Sequence, residues 1–146
     1  MSWYPHVTVA TVIEDAGRFL LVEEHAEGRL VFNQPAGHLE RNETLVEAAQ
    51  RETLEETGWT VDIQGVVGIG LYTAPSNDTT YYRTCFFGRP QRHDPARKLD
   101  TGIERAVWLS FDEIIALESR LRSPLVAKVI EQYLGGHRYP LSAIFA

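Results

Sequence analysis

Cysteine is nearly absent from this 146-residue chain, with Cys85 alone. One thiol can build neither a disulfide framework nor a Cys-based zinc site. Cys85 sits in an apolar run, where a free thiol is expected to pack as core and not to act as a nucleophile. Positive charge is also short, with 14 Lys and Arg against 20 Asp and Glu, a formal net charge of −6. This balance argues against a general nucleic-acid binder or a membrane-surface protein. No apolar run is long enough to span a bilayer, and Met1 to His6 carry no basic segment or apolar signal core. The expectation is a cytoplasmic protein with no membrane or nucleic-acid partner. Repeats, linkers and low-complexity segments are missing too, so one domain over residues 1–146 is expected. With 44% apolar and 23% charged residues, it has enough to bury a core.

What is present centres on residues 43–59, ETLVEAAQRETLEETGW. Thr44 suits an N-cap and Glu47, three residues on, completes a capping box. Good helix formers follow to Thr57, and Gly58 supplies the stop. On that helix Glu52, Glu55 and Glu56 stand at i, i+3 and i+4, which places three carboxylates on one face. In a cleft of effective dielectric near 20, two such anions at ~5 Å repel by about 3 kcal/mol. A divalent cation removes that cost, and oxygen-only ligands favour Mg²⁺ or Mn²⁺ over zinc. The bland alternative is a solvated face in an acidic protein. Against it, Ala48 and Ala49 withhold bulk beside the acidic face, and Arg51 borders it, within reach of Glu55 or Glu43.

Upstream, residues 6–13 read as a largely buried strand, 19–23 as its return and 30–32 as a short extended segment. Asn33 to His38 suits a loop. Downstream, residues 60–63 and 66–73 read as two strands, a turn follows at 75–78, and 80–88 is the hairpin partner. A polar loop is expected over 90–102 and a last strand over 103–109. A second capping box, Ser110 with Glu113, starts a short helix to Leu117. Ser123 as N-cap before Pro124 opens a helix over 125–134 that Gly135 and Gly136 end. Antiparallel strands with two or three packed helices make an α+β layered domain.

Gly37, five residues, Glu43, seven residues, then Arg51-Glu52-Thr53-Leu54-Glu55-Glu56-Thr57-Gly58 resembles the signature of the Nudix hydrolases. Thr53 and Trp59 depart from it, both at packing positions that carry no ligand. The resemblance implies an α/β/α sandwich with a mixed, largely antiparallel sheet. It implies Mg²⁺-dependent cleavage of a nucleoside diphosphate linked to another group, or of a related pyrophosphate. By it, Glu52, Glu55 and Glu56 would hold the metal with the Gly37 carbonyl, and Glu43 would pair with Arg51 to fix the loop on the helix. Glu52 or Glu55 would take a proton from the attacking water, with Glu104 from a later loop as an outside candidate.

Substrate contacts are less legible. Trp3, Tyr4, Tyr72, Tyr81 and Tyr82 lie near strand ends or turns, where one or two could stack on a planar ring, although core or surface packing is the commoner role. Arg83 could offer a planar fork to phosphate or be a surface charge. His6 and His38 are candidate phosphate contacts, His38 better placed beside Gly37, whereas His25 and His93 read as loop residues without a partner. Blocks outside the signature, 5–10, 33–40, 121–127 and 138–141, resemble a bacterial phosphatase branch of the same family. That branch implies release of orthophosphate from nucleoside di- and triphosphates, thiamine pyrophosphate or a hydroxymethylpyrimidine pyrophosphate. A monomer with a small phosphorylated substrate is expected. The alternatives are a nucleotide-pool sanitiser or ADP-ribose hydrolase using the same residues, and a non-catalytic sensor of the same fold.

Overall fold

The structure is a computed structural model that describes residues 2–146. Its central strand, β1 (His6–Asp15), is buried without interruption from Thr8 to Ile13. Alternate residues of a strand face opposite ways, so unbroken burial requires cover on both sides. Val9 and Ile13 pack toward α1 (Leu45–Thr57), together with Ala48, Ala49, Val61 and Phe86. Ala10 and Val12 pack the other way, against Val129, Ile130 and Tyr133 of α3 (Leu125–Leu134) and Ile114 of α2 (Phe111–Ala116). The result is helix, sheet, helix.

Laterally, β1 runs parallel to β6 (Thr80–His93) over eight residue pairs, from His6↔Tyr81 to Ile13↔Gly88. On its other side it pairs antiparallel with β4 (Ala36–His38). A tight turn at Ala16 and Gly17 leads to β2 (Arg18–Ala26), which pairs with β3 (Arg29–Asn33) and β7 (Ile103–Ser110). Beyond β6 lie β5 (Trp59–Thr73) and the two-residue β8 (Tyr139–Pro140). The sheet is mixed and mostly antiparallel.

Several elements depart from the local sequence pattern. Residues 36–38, expected in a loop, form β4, because β1 offers a free edge and Leu39 N–H also donates to Val7 O at 3.1 Å. The two strands expected over 60–73 are one strand, β5, bent by register shifts near Val61, Gly65 and Gly68. Its partner β6 continues to His93, so the polar loop is shorter than expected and starts at Asp94. β8 and two short 3₁₀ turns, Glu118–Arg120 and Leu141–Ala143, carry no clear local signal. At α3, Ser123 Oγ accepts from Leu125 N–H at 3.2 Å while Pro124 already has helical dihedrals. Cys85 is 3% exposed, inside the core.

Candidate active site

The acidic helix is framed at both ends by local chemistry. Thr44 Oγ1 accepts from Glu47 N–H at 3.1 Å and the Glu47 carboxylate accepts from Thr44 N–H at 2.9 Å. Such a cap is worth about 1 kcal/mol. At the far end Gly58 adopts φ 77°, and its N–H donates to Leu54 O at 2.9 Å. Between these ends the helix turns its small residues inward. Ala48 and Ala49 are buried, and the bulk they withhold lets the sheet, another segment of the chain, approach the helix there. Thr53, at a position the signature gives to an aliphatic residue, is fully buried and returns its hydroxyl to Ala49 O at 2.8 Å. Trp59 stacks on His93, which therefore does have a partner, at 4.7 Å between ring centroids.

Arg51 ties the helix to the chain before it. Its Nε and Nη2 form a two-point bond with the Glu43 carboxylate at 2.6 and 3.0 Å, and Nη2 also donates to His38 O at 3.0 Å. Nη1 donates to Glu52 and Glu55 at 2.8 and 2.9 Å. The planar fork suits this arrangement, where an ammonium would not reach three carboxylates. Hydrogen bonding from Arg51 holds the Glu43 carboxyl below the ordinary carboxylate range, and Glu43 in turn holds the guanidinium firmly protonated.

β4 lies against the same helix. Ala36 N–H donates to Glu56 Oε1 at 2.9 Å. A Cβ built on Gly37 would stand 2.5 Å from Glu52 Oε2 and closer still to Cδ and Oε1. Only glycine lets the carboxylate rest on the strand there. Glu52, Glu55 and Asp100 each bring one oxygen to a point where all three lie within 4.8 Å of one another. Asp100 went unnoticed in the sequence because it sits in the polar loop between β6 and β7. Its N–H donates to Glu55 O at 3.0 Å, and this tertiary contact delivers it. Glu104, the outside candidate for a base, is exposed, bonds His25 Nε2 at 2.9 Å and does not line the cleft. His25 was expected to have no partner; Glu104 is that partner.

The electrostatics of the cluster show what it is short of. Burial pushes the Glu52 carboxyl up, against the pull of Arg51. Glu56, 8% exposed, is pushed up to about 9, first by burial and then by Glu24, Glu52 and Asp100, while the Ala36 N–H opposes the shift. One guanidinium serves several carboxylates, and the group lacks positive charge. Oxygen-only donors converging from a helix and a loop, with a buried carboxyl held neutral for want of a counter-charge, fit a hard divalent cation.

Beside the cluster opens a cleft of about 660 Å³. Such a volume suits a small organic ligand. Glu52, Glu56 and Gly37 line one part, Tyr72 and Tyr81 another, and Arg122, Ser123 and Leu125 bring in the start of α3. His38 lines it too, its Nε2 3.2 Å from His6 Nδ1, and burial followed by the nearby His6 holds His38 toward the neutral form. Tyr4 is 70% exposed, stacks on His6 and is not part of the wall, nor are Trp3 and Tyr82. Arg83 is 6% exposed, and its Nη2 donates to Asn33 Oδ1 and Gln34 Oε1 at 2.7 and 3.1 Å. It is not a surface charge: Nη2 is committed to the two amides, while Nη1 has no partner among the described residues and the residue lines the cleft.

A family model described as "NUDIX domain" matches residues 4–132. The protein "Phosphatase NudJ" of Escherichia coli is 46% identical over 140 residues, spanning 96% of this chain and 90% of its own. A solved "NUDIX hydrolase from Nitrosomonas europaea" is 49% identical, with a TM-score of 0.96 over 98% of this chain and 97% of its own. A solved "UDP-X diphosphatase" shares the fold at a TM-score of 0.75 and 17% identity, covering 96% of this chain and 68% of its own.

Proposed function

This chain belongs to the Nudix hydrolase family and is a phosphoanhydride hydrolase, and from that premise we propose that it is a Mg²⁺-dependent, orthophosphate-releasing enzyme acting on nucleoside di- or triphosphates or on a pyrimidine or thiamine pyrophosphate. The observation that carries the metal requirement is the convergence of Glu52, Glu55 and Asp100 within 4.8 Å beside the buried Glu56. These residues, with the Gly37 carbonyl, would hold Mg²⁺, with Mn²⁺ as substitute. Bound there, the cation supplies Lewis-acid polarisation and charge neutralisation at the phosphoryl oxygens.

The chain's own groups do the rest. Glu43 and Arg51 clamp the helix to the segment that follows β4, so the carboxylates are set before substrate arrives. Glu52 or Glu55 takes the proton of the attacking water. His38 and Tyr72 line the cleft and offer a neutral imidazole and an aromatic ring to the substrate. Likeness to a protein named a phosphatase favours terminal-phosphate release over pyrophosphate release. No carboxylate of the signature is replaced, which speaks against a sensor. The single domain, monomeric state and cytoplasmic location remain part of this proposal.

The test is a panel of thiamine pyrophosphate, CTP and ADP-ribose with Mg²⁺, scoring orthophosphate and pyrophosphate separately. Orthophosphate from the first two supports the reading. Pyrophosphate from CTP, or turnover of ADP-ribose alone, moves the protein to another branch of the family. No turnover of any with either metal overturns it.

A further inference from the structure

Arg83 is a buried cation for which no carboxylate stands within ion-pair distance among the described residues. Its Nη2 bonds two side-chain amide oxygens, those of Asn33 and Gln34, and its Nη1 is buried with no partner. Guanidinium can only donate, so it decides which end of each amide faces it. For Gln34 the nitrogen end then reaches Val126 O at 2.7 Å, and that amide is buried inside the fold, away from the cleft wall. Asn33 is different. Its Nδ2 donates to Glu24 Oε2 at 3.2 Å, and Arg122 Nη1 donates to the same Oε2 at 2.9 Å. Among the described residues nothing donates to Glu24 Oε1, and Asn33 uses one of its two N–H bonds. Asn33, Glu24 and Arg83 all line the cleft that holds Glu52 and Glu56.

The geometry points to a specificity edge. Asn33 Nδ2 as donor and Glu24 Oε1 as acceptor, side by side, read an adjacent acceptor and donor on the substrate's organic group, and Arg83 is the positioning residue that fixes the Asn33 amide in that sense. The edge takes a planar nitrogen heterocycle carrying a ring or carbonyl acceptor next to an N–H donor, the pattern of a nucleobase hydrogen-bonding edge. It does not take a prenyl or simple alkyl diphosphate, because those would leave the donor and acceptor unpaired in the wall. A site built to hydrogen-bond a polar group rejects an analogue lacking that group far more strongly than an apolar pocket rejects an extra one. Tyr72 and Tyr81 in the same cleft supply flat apolar surface for such a ring. This inference rests on the proposed hydrolysis at the same cleft and adds what its organic end must look like.

The experiment compares CTP, which has the acceptor–donor edge, with inorganic tripolyphosphate, which has no organic group. Wild type, Arg83→Met and Asn33→Asp are each assayed with Mg²⁺. Asn33→Asp is nearly isosteric and retains an acceptor for Arg83, so it remains informative if Arg83→Met fails to fold. The expected result is a fall in kcat/KM for CTP at least tenfold larger than the fall for tripolyphosphate, carried by KM and not by kcat. Equal losses on both substrates would make Arg83 and Asn33 supports of the β3–β4 turn only, and overturn the proposal. No loss on CTP would overturn it too. If wild type hydrolyses neither compound, the proposed activity fails separately. Equilibrium binding of cytidine then decides the edge: lost in Asn33→Asp supports it, unchanged refutes it.

Discussion

Replacing Gly37 by alanine adds one methyl group, and the structure says where it must go. Gly37 lies in β4 without a left-handed backbone, so alanine itself is not strained there. The obstacle is the Glu52 carboxylate, whose Oε2 is 2.5 Å from the new Cβ, with Cδ and Oε1 nearer. Ordinary contact needs about 3.5 Å, so the carboxylate must retreat by more than about 1 Å. Because it is the far end of a flexible side chain, this is achieved by an off-rotamer shift costing about 1 kcal/mol. In a domain of this size that lowers Tm by about 2–4 °C. The functional cost is larger, since a 1 Å misplacement of a catalytic group costs on the order of 10²-fold in rate. The Arg51 bond to Glu52, 2.8 Å long, shifts with it. The assay is orthophosphate release at saturating Mg²⁺, with a thermal melt of the same preparation. Turnover within threefold of wild type would refute the claim that Glu52 works from its place against β4. A fall in Tm beyond about 10 °C would show that the strand, not the carboxylate, gave way.

Glu56→Gln retains an acceptor for Ala36 N–H, so the fold should be kept while turnover in Mg²⁺ falls by at least about 10²-fold; a steady-state assay beside a melt checks both, and unchanged turnover would remove Glu56 from the site. The pH dependence of metal-free stability follows from the same side chain. A carboxyl raised in the fold from its ordinary value to about 9 binds its proton more tightly folded than unfolded, so stability is full below the unfolded value and is lost as pH rises toward 9. At 1.36 kcal/mol per pH unit the ceiling is about 6 kcal/mol, and relaxation of the site lowers it to about 2–3 kcal/mol. Urea titrations in a chelator at pH 6 and pH 9 measure the part of that loss falling between them; Mg²⁺ should flatten the slope, and a metal-free protein no weaker at pH 9 would contradict the burial argument. Gly58→Ala puts a side chain at φ 77° with its Cβ 2.9 Å from Asp94 O, and should cost about 1–3 kcal/mol in urea unfolding.

What could be read from the chain alone was what local chemistry decides. The acidic helix was legible from Thr44 to Gly58 because its cap, its stop and its face are set within a few residues. The strand alternation of β1 was legible for the same reason. Pairing was not: β1 lies parallel to β6, more than 70 residues away, and no local signal records such a neighbour. β4 hid in a Pro-Ala-Gly stretch that only a tertiary edge makes extended. In the site, Glu43, Arg51 and the helix glutamates were found by spacing, whereas Asp100 arrives through a backbone bond to the helix end. The amides that take Arg83 Nη2, Asn33 and Gln34, lie 50 and 49 residues off, so no local signal records them. Glu104 looked like a base until His25 was placed beside it.

The most direct test of the account is a Mn²⁺ titration followed by electron paramagnetic resonance, on wild type and on Glu52→Gln, Glu55→Gln and Asp100→Asn. Wild type should take up Mn²⁺ in competition with Mg²⁺, and each substitution should weaken uptake at least tenfold. Equal Mn²⁺ uptake by all four proteins would contradict the claim that these converging oxygens hold the cation.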